Sequence, residues 1–479
     1  MSTSSTDRAA PALTGSLGTG SIVFMVVAAA APLTVVSGTV PLGIALGDGA
    51  AFPATFVICC AVLMLFAVGY SAMTPHVPQA GAFYSYVRHG LGRANGRGAA
   101  YLALVTYTAV QLAVYGYMGA VAADLVRHYG GPALPWWLWS GVALAGVGVL
   151  GYRHIDLSGK VLGVLLLCEV GIVLALDAVV VADGGPSGPS TAFLKPEQIG
   201  SGSLGLGLVF AIASYLGFEA TAIFRDEARD PDRTIPRATY LSLLLIGGFY
   251  TLSSWALVSA WGDDQAVQAA GSDPGGMLLT TIERDLGGTA ADVAQVLLLT
   301  SLFAAALSFH NVLARYGFSL GTSGALPRLF GSRHARHGSP HLASLLQSAC
   351  AAVLVAVCVA AGMDPVAQVF AWLAGTATLG ILLLMSLTCL AVIVHFRRTR
   401  QDRRIWHTLA APGLGLLGLV GCLVLAVANF PLLIGGSTAL ATVLGLMPLA
   451  AFAAGVLLSR RERPSTRGAS TTSPVPETA

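Results

Sequence analysis

Runs of about twenty apolar residues fill this chain almost end to end, and they leave it one solvent to fold in. A hydrocarbon layer about 30 Å thick is crossed by roughly 20 residues of α-helix. The sequence offers twelve such stretches, at 17–46, 53–74, 98–126, 134–152, 160–182, 204–225, 240–261, 291–314, 342–362, 366–394, 409–430 and 432–458. Only 10% of the 479 residues are charged, against roughly 25% in soluble domains. The expectation is an all-α integral membrane protein with twelve transmembrane helices. The first stretch runs well past Ala28–Ala31 and eleven more follow, so it is expected to be retained, not cleaved as a signal peptide.

Basic residues orient the spans. With the amino terminus placed on the cytoplasmic side, every Lys and Arg except Arg127, Lys195 and Arg284 falls in a cytoplasmic loop or tail. Lys and Arg gather on the cytoplasmic side of membrane proteins. Both termini are therefore expected in the cytoplasm, with the protein in the plasma membrane. The formal net charge of +3 then reflects topology and not an affinity for nucleic acid. All seven cysteines lie inside predicted spans without zinc-site spacing, and they read as small apolar residues. Residues 1–14 and 460–479 are rich in Ser, Thr, Pro and Ala and are expected to be disordered. The longest outer loop, near Gly262–Ala290, is acidic and long enough for a short helix.

Two spans are interrupted. Val26–Gly43 reads VVAAAAPLTVVSGTVPLG, with Pro32, Gly38 and Pro41 where a helix should be most regular. Proline removes a backbone donor and clashes with the carbonyl four residues back. Open backbone at membrane depth is tolerated only inside protein or along a watery cavity. The sixth span supplies a counterpart: in FAIASYLGFEATAIFRDEARDPDRTIPRA, residues 210–238, Ser214–Phe218 interrupts the apolar run just before Glu219. Paired interruptions in corresponding positions of two halves point to an inverted-repeat transporter with its site at mid-membrane.

Three separated motifs carry a resemblance. The segment GFEATAIFRDEARDPDRTIPRA after the second interruption is one. VPQAGAFYSYVRHGLGR after the second span, with Pro78, Gly81, Tyr84 and Tyr86, is another. NVLARYGFSLGTSGALPRLF after the eighth span, with Arg315, Gly324, Leu326 and Pro327, is the third. In this order they resemble the amino acid–polyamine–organocation superfamily of permeases over nearly the whole chain. Ala30–Thr34 stands where many members carry a Gly-Ser-Gly run. The resemblance implies the leucine-transporter architecture, two inverted five-helix repeats with broken first and sixth helices plus two C-terminal helices. In this chain the repeats would be 15–182 and 183–394, followed by the last two helices in 395–459.

An opened helix places free carbonyls and free amides side by side, with partial negative and positive charge. A zwitterion fits both without any charged side chain. Its carboxylate is expected on amides near Thr34–Ser37, and its ammonium on carbonyls near Ala30, Ala31 and Ser214–Leu216. The expected substrate-binding residues are Ala30, Ala31, Pro32, Leu33, Thr34, Ser37, Ser214, Tyr215, Leu216, Gly217 and Phe218. Tyr107, Gln111 and Tyr115 recur every four residues on one face of the third span; helix packing and a pocket wall both explain such a stripe. Trp372 is a further wall candidate.

Acids inside spans are costly and mark pathways. Glu169 in the fifth span and Glu219 after the second interruption are the coupling or pathway candidates, each with a structural alternative as a hydrogen-bonded acid between helices. The hydroxyls of Thr300, Ser301 and Ser308 are the sodium-ligand alternative. Asp226, Glu227, Asp230 and Asp232 alternate with Arg225, Arg229, Arg233 and Arg237 and read as a solvated cytoplasmic loop.

The expected function is a secondary permease for an amino acid or related amine, coupled to protons or, alternatively, sodium. A polyamine or monoamine carrier is the second transport reading. A membrane-embedded enzyme would need a convergent catalytic set, and none is found; His310 beside Asn311 reads as packing. No phosphate-binding P-loop motif occurs, and no charged stripe suggests a channel. No cofactor or metal is expected.

Overall fold

A computed structural model of the chain describes residues 17–77, 83–153, 159–219, 221, 228–322, 326–332, 340–435 and 437–461. Among the described residues the backbone is helical, with one isolated bridge between Leu17 and Ala228 and no sheet. Helices satisfy their own backbone hydrogen bonds, which lipid cannot do for them. Of the stretches expected to be disordered, 1–14 lies outside the described residues and so does 460–479 from residue 462 onward, while Arg460 and Arg461 close the last helix. Pro78, Gly81, Gly324, Arg225, Asp226 and Glu227 also lie outside them.

Ten helices among the described residues are long and apolar enough to cross a membrane. Trp136–Arg153, with 18 residues, and Leu204–Ala213, with 10, occupy the other two of the twelve expected positions. The order of burial sets the layers. The most apolar windows of Arg93–His128 and Pro365–Thr399 are each 72% buried, whereas that of Thr438–Ser459 is 17% buried. The first two helices form the centre and the last lies on the rim.

Small residues bring the rim helix close to the centre. A Cβ on Gly455 would lie 2.8 Å from the Cα of Gly98, an approach only glycine permits. The amphipathic helix Phe83–Leu91 lies across one end of the bundle. It buries Phe83, Tyr86 and Val87 and leaves Arg88 and His89 exposed. Near Gly262–Ala290 the chain forms two short helices, Asp263–Ser272 and Met277–Leu286.

Asp48 ties the end of the first span to the approach of the sixth. Its carboxylate accepts the amides of Gly200 at 2.9 Å and Gly202 at 3.2 Å. Ser203 then caps Leu204–Ala213 by accepting from the amide of Leu206. The two interrupted segments are thus fixed side by side before any side chain of the site is considered.

Candidate functional site

The first helix runs Thr19–Ala29 and stops. Ala31 takes the left-handed backbone, φ 47° and ψ 68°, and helical geometry resumes at Pro32. Only Arg400 shares a positive φ among the described non-glycine residues. Such a conformation costs an alanine about 1–2 kcal/mol and persists only where surrounding structure imposes it. Beyond Pro32 the turns are wide, with π-helical hydrogen bonding over Val35–Thr39 and Gly43–Asp48. The rings of Pro32 and Pro41 lack the amide that a regular helix needs at those points.

The second interruption follows Leu204–Ala213. Ser214–Gly217 form a turn, with Gly217 at φ 110°. A Cβ on Gly217 would stand 3.4 Å from both the carbonyl carbon and the Cβ of Ala29. The two interruptions therefore meet, Gly217 against Ala29.

A cavity of about 70 Å³ lies where they meet. Ala29, Ala30, Ala31 and Thr34 line it from the first segment, and Ala213 and Leu216 from the second. The third span contributes Val110, Ala113 and Val114; Ala305, Phe309, Phe370 and Ala374 complete the wall. Among its described lining residues Thr34 and Thr39 carry the only side-chain hydroxyls, and none is ionisable. The Ala30 carbonyl accepts from the Tyr250 hydroxyl at 3.1 Å and keeps a second lone pair.

Glu169 lies just behind this wall, 4% exposed. It accepts from Ser301 Oγ at 2.9 Å and is hydrogen-bonded by the Leu33 backbone. Thr34 Oγ1 in turn donates to Ser301 Oγ at 3.3 Å. A carboxylate thus faces the start of the second half-helix, where amide ends favour negative charge. Glu219 is equally buried, with Tyr107 Oη donating to it at 2.7 Å and the Gly217 amide at 2.9 Å.

Aromatic rings close both ends. Phe370 faces the cavity and packs at 4.9 Å on Tyr117, whose hydroxyl pairs with Ser37 Oγ at 2.7 Å. Beyond Tyr117 opens a vestibule of about 610 Å³. On the opposite side Phe309 stacks on Tyr107 at 6.1 Å, and tilted ring contacts continue from Tyr107 to Tyr316 at 5.9 Å and from Tyr316 to Tyr84 at 5.2 Å. That column ends on the amphipathic helix Phe83–Leu91.

Of the residues singled out from sequence, Ala30, Ala31, Thr34 and Leu216 line the cavity. Pro32, Leu33 and Ser37 are buried beside it. Ser214 Oγ donates to the Phe210 carbonyl, and Tyr215 Oη to the Phe56 carbonyl at 3.0 Å, so both turn into the helix bundle. Phe218 packs on Phe66 and Phe83 towards the amphipathic helix. Gln111 donates to the Ala306 carbonyl and accepts from Gln347 at 2.7 Å, and Gln111 Nε2 reaches Tyr115 Oη at 3.5 Å. This pair joins neighbouring helices. Trp372 lines a separate apolar cavity against Leu104 and Leu440. His310 pairs with Ser344 at 2.8 Å.

Sequence reasoning passed over Ala305, Phe309 and Phe370, whose types are common in any span. It also passed over Asp177, buried at 3% exposure and accepting from Ser253 at 2.8 Å. An acid within a span was the available signal for that residue.

Comparisons with known proteins agree on one family. A family model described as amino acid permease matches residues 17–464. The low-affinity putrescine importer PlaP of Escherichia coli (strain K12) is 22% identical over 317 residues, covering 63% of this chain and 66% of the relative. The histidine permease HisP of Lactococcus lactis subsp. cremoris (strain MG1363) is 26% identical over 332 residues, covering 64% and 67%. The lysine-specific permease LysP of E. coli (strain K12) is 25% identical over 323 residues, covering 64% and 63%. The matched part of this chain spans about two thirds of the length of each of these relatives.

Proposed function

Because this integral membrane chain belongs to the amino acid permease family, we propose that it is a secondary transporter for an amino acid or related amine, working by alternating access. The substrate binds between two broken helices, the first and sixth of twelve, in two inverted repeats of five followed by two further helices. The repeats take 15–182 and 183–394, and both termini face the cytoplasm of a plasma membrane. The observation that carries this reading is the contact of Gly217 with Ala29 beside left-handed Ala31, around a cavity with no ionisable group among its described lining residues. Main-chain ends supply the polarity that side chains do not.

Tyr117 and Phe370 form the gate towards the vestibule, and the Phe309–Tyr107–Tyr316–Tyr84 column forms the gate on the other side. Opening one while the other stays closed would expose the substrate to one face at a time. Protons are the coupling ion of this reading. Glu169 takes and releases one, because its partners Ser301 and Leu33 belong to elements that must separate when the first helix moves. Glu219 links the second interruption to Tyr107 in the same way. Sodium on Ser301 and neighbouring oxygens is the alternative coupling.

The test is accumulation of labelled amino acid in proteoliposomes under an imposed pH gradient, acid on the side of entry. Uptake above the external concentration, lost in Glu169→Gln while ligand binding persists, is expected. Accumulation would exclude a channel; equilibration without accumulation would remove the active coupling and leave a channel open. Unchanged proton dependence in the variant would remove Glu169 from coupling.

A further inference from the structure

We infer that the transported solute is a small zwitterion with a short, uncharged side chain, of the size of glycine, alanine or serine, and that lysine, histidine and diamines are excluded. The inference rests on the permease reading above and narrows its substrate. It also departs from the substrates that the names of the relatives carry.

Size is the first argument. A water needs roughly 10–15 Å³ of such space, so a cavity of about 70 Å³ has room for on the order of five water-sized groups. The five heavy atoms of an α-amino acid backbone account for about that many, and a methyl or hydroxymethyl group adds only one or two more. Ala305 and Phe309 set the limit from one face of the helix Gly288–Thr322, four residues apart, with Ala213 and Phe370 opposite. Phe309 is fixed by its stack on Tyr107 and Phe370 by its contact with Tyr117.

Charge is the second. A buried ammonium beyond the α-amino group needs its own counter-charge. Among the described residues none lines the cavity. Glu169 stands behind Ser301 and Thr34, and Glu219 behind Gly217 and Tyr107, each already holding hydrogen bonds. The vestibule does contain carboxylates, Asp124, Asp273, Glu283, Asp292 and Asp364, and four of them hold partners of their own, Asp273 the amide of Gly276. Asp124 pairs with Arg127, Asp292 with His128, and Asp364 accepts the amides of Val366 and Ala367. The acidic vestibule is compatible with cations, while the described lining of the cavity offers them no partner.

The test is a panel of glycine, alanine, serine, leucine, lysine, histidine and putrescine. Each is measured for thermal stabilisation of the purified protein and for competition with labelled alanine uptake. Glycine, alanine and serine are expected to bind, with leucine at least about tenfold weaker, the size of discrimination that added methylenes give. Lysine, histidine and putrescine are expected to have no effect. Phe309→Ala should bring leucine within about threefold of alanine, and Ala305→Val should weaken alanine at least about tenfold while sparing glycine. Should Phe309→Ala not fold, the wild-type panel and Ala305→Val decide alone. Lysine, histidine or putrescine binding as tightly as alanine would overturn this inference and leave the permease reading standing. Leucine binding as tightly as alanine, or no binding by glycine, alanine or serine, would also overturn this inference, and the permease reading stands or falls separately on the accumulation assay above.

Discussion

The hydroxyl of Tyr107 donates to Glu219 at 2.7 Å, joining the middle of the third span to the end of the second interruption. Both groups are buried, so neither has water to fall back on. Next to them Tyr316 Oη has no hydrogen-bond partner among the described residues, although its ring lies 5.9 Å from that of Tyr107. The two tyrosines should respond oppositely to removal of their hydroxyls. Tyr107→Phe leaves a buried carboxylate oxygen unsatisfied and should cost ~1–3 kcal/mol of stability. Tyr316→Phe removes an unpaired polar atom and should be neutral or stabilising. Melting of the two variants in detergent checks this, and equal destabilisation would contradict it.

Gly217 tests whether the second interruption needs its backbone shape. Its φ of 110° is open to glycine and strained for alanine. The added methyl group would meet Ala29 at ordinary contact distance, so the cost lies in the backbone. Gly217→Ala should destabilise by about 1–3 kcal/mol and weaken substrate binding in the thermal assay. A variant with wild-type stability and affinity would show that the turn is incidental.

Ser37 and Tyr117 hold the wall between vestibule and cavity. Tyr117→Phe removes the 2.7 Å contact but keeps the ring that packs on Phe370. The wall should loosen without collapsing. A cysteine placed at Ala113 should then react several-fold faster with a polar, membrane-impermeant maleimide than in the parent with Tyr117. An unchanged rate would mean that the rings alone close this side.

One pH response lies outside the spans. Arg404 hydrogen-bonds Asp402 in the loop before the last two helices and holds its carboxyl below the usual carboxylate range. A depressed folded pKa contributes stability above the unfolded value, and that stability is lost as pH falls through the folded value. The pair is near the surface, so the contribution is expected at or below about 1 kcal/mol. Asp402→Asn should lower stability at neutral pH by up to that amount, match the parent at acid pH below the folded value, and so flatten the profile between them. A profile of unchanged shape would dismiss the pair.

The fold class was legible because apolar length is a one-dimensional property, and each long run had to become a helix in lipid. The position of the first interruption was legible for a similar reason: Pro32 lacks its amide wherever the chain goes. Rotation about the helix axis was not. Tyr107, Gln111 and Tyr115 share a face, but whether that face meets Glu219, Gln347 or the cavity depends on neighbours hundreds of residues away. The lining residues Ala113, Ala213 and Ala305 carry no sequence signal at all, since alanine is the ordinary residue of a packed span. Glu169 was visible as an intramembrane acid, while its partners Ser301 and Leu33 needed three-dimensional contact to be found.

The most direct test of the central claim is an experimental structure of the protein with saturating alanine. Alanine is expected between Ala29–Thr34 and Ala213–Gly217, its carboxylate on main-chain amides of the resumed first helix and its ammonium on main-chain carbonyls, with no ionisable side chain touching it. A first helix continuous through Ala31, or alanine held only in the vestibule beyond Tyr117, would contradict the account.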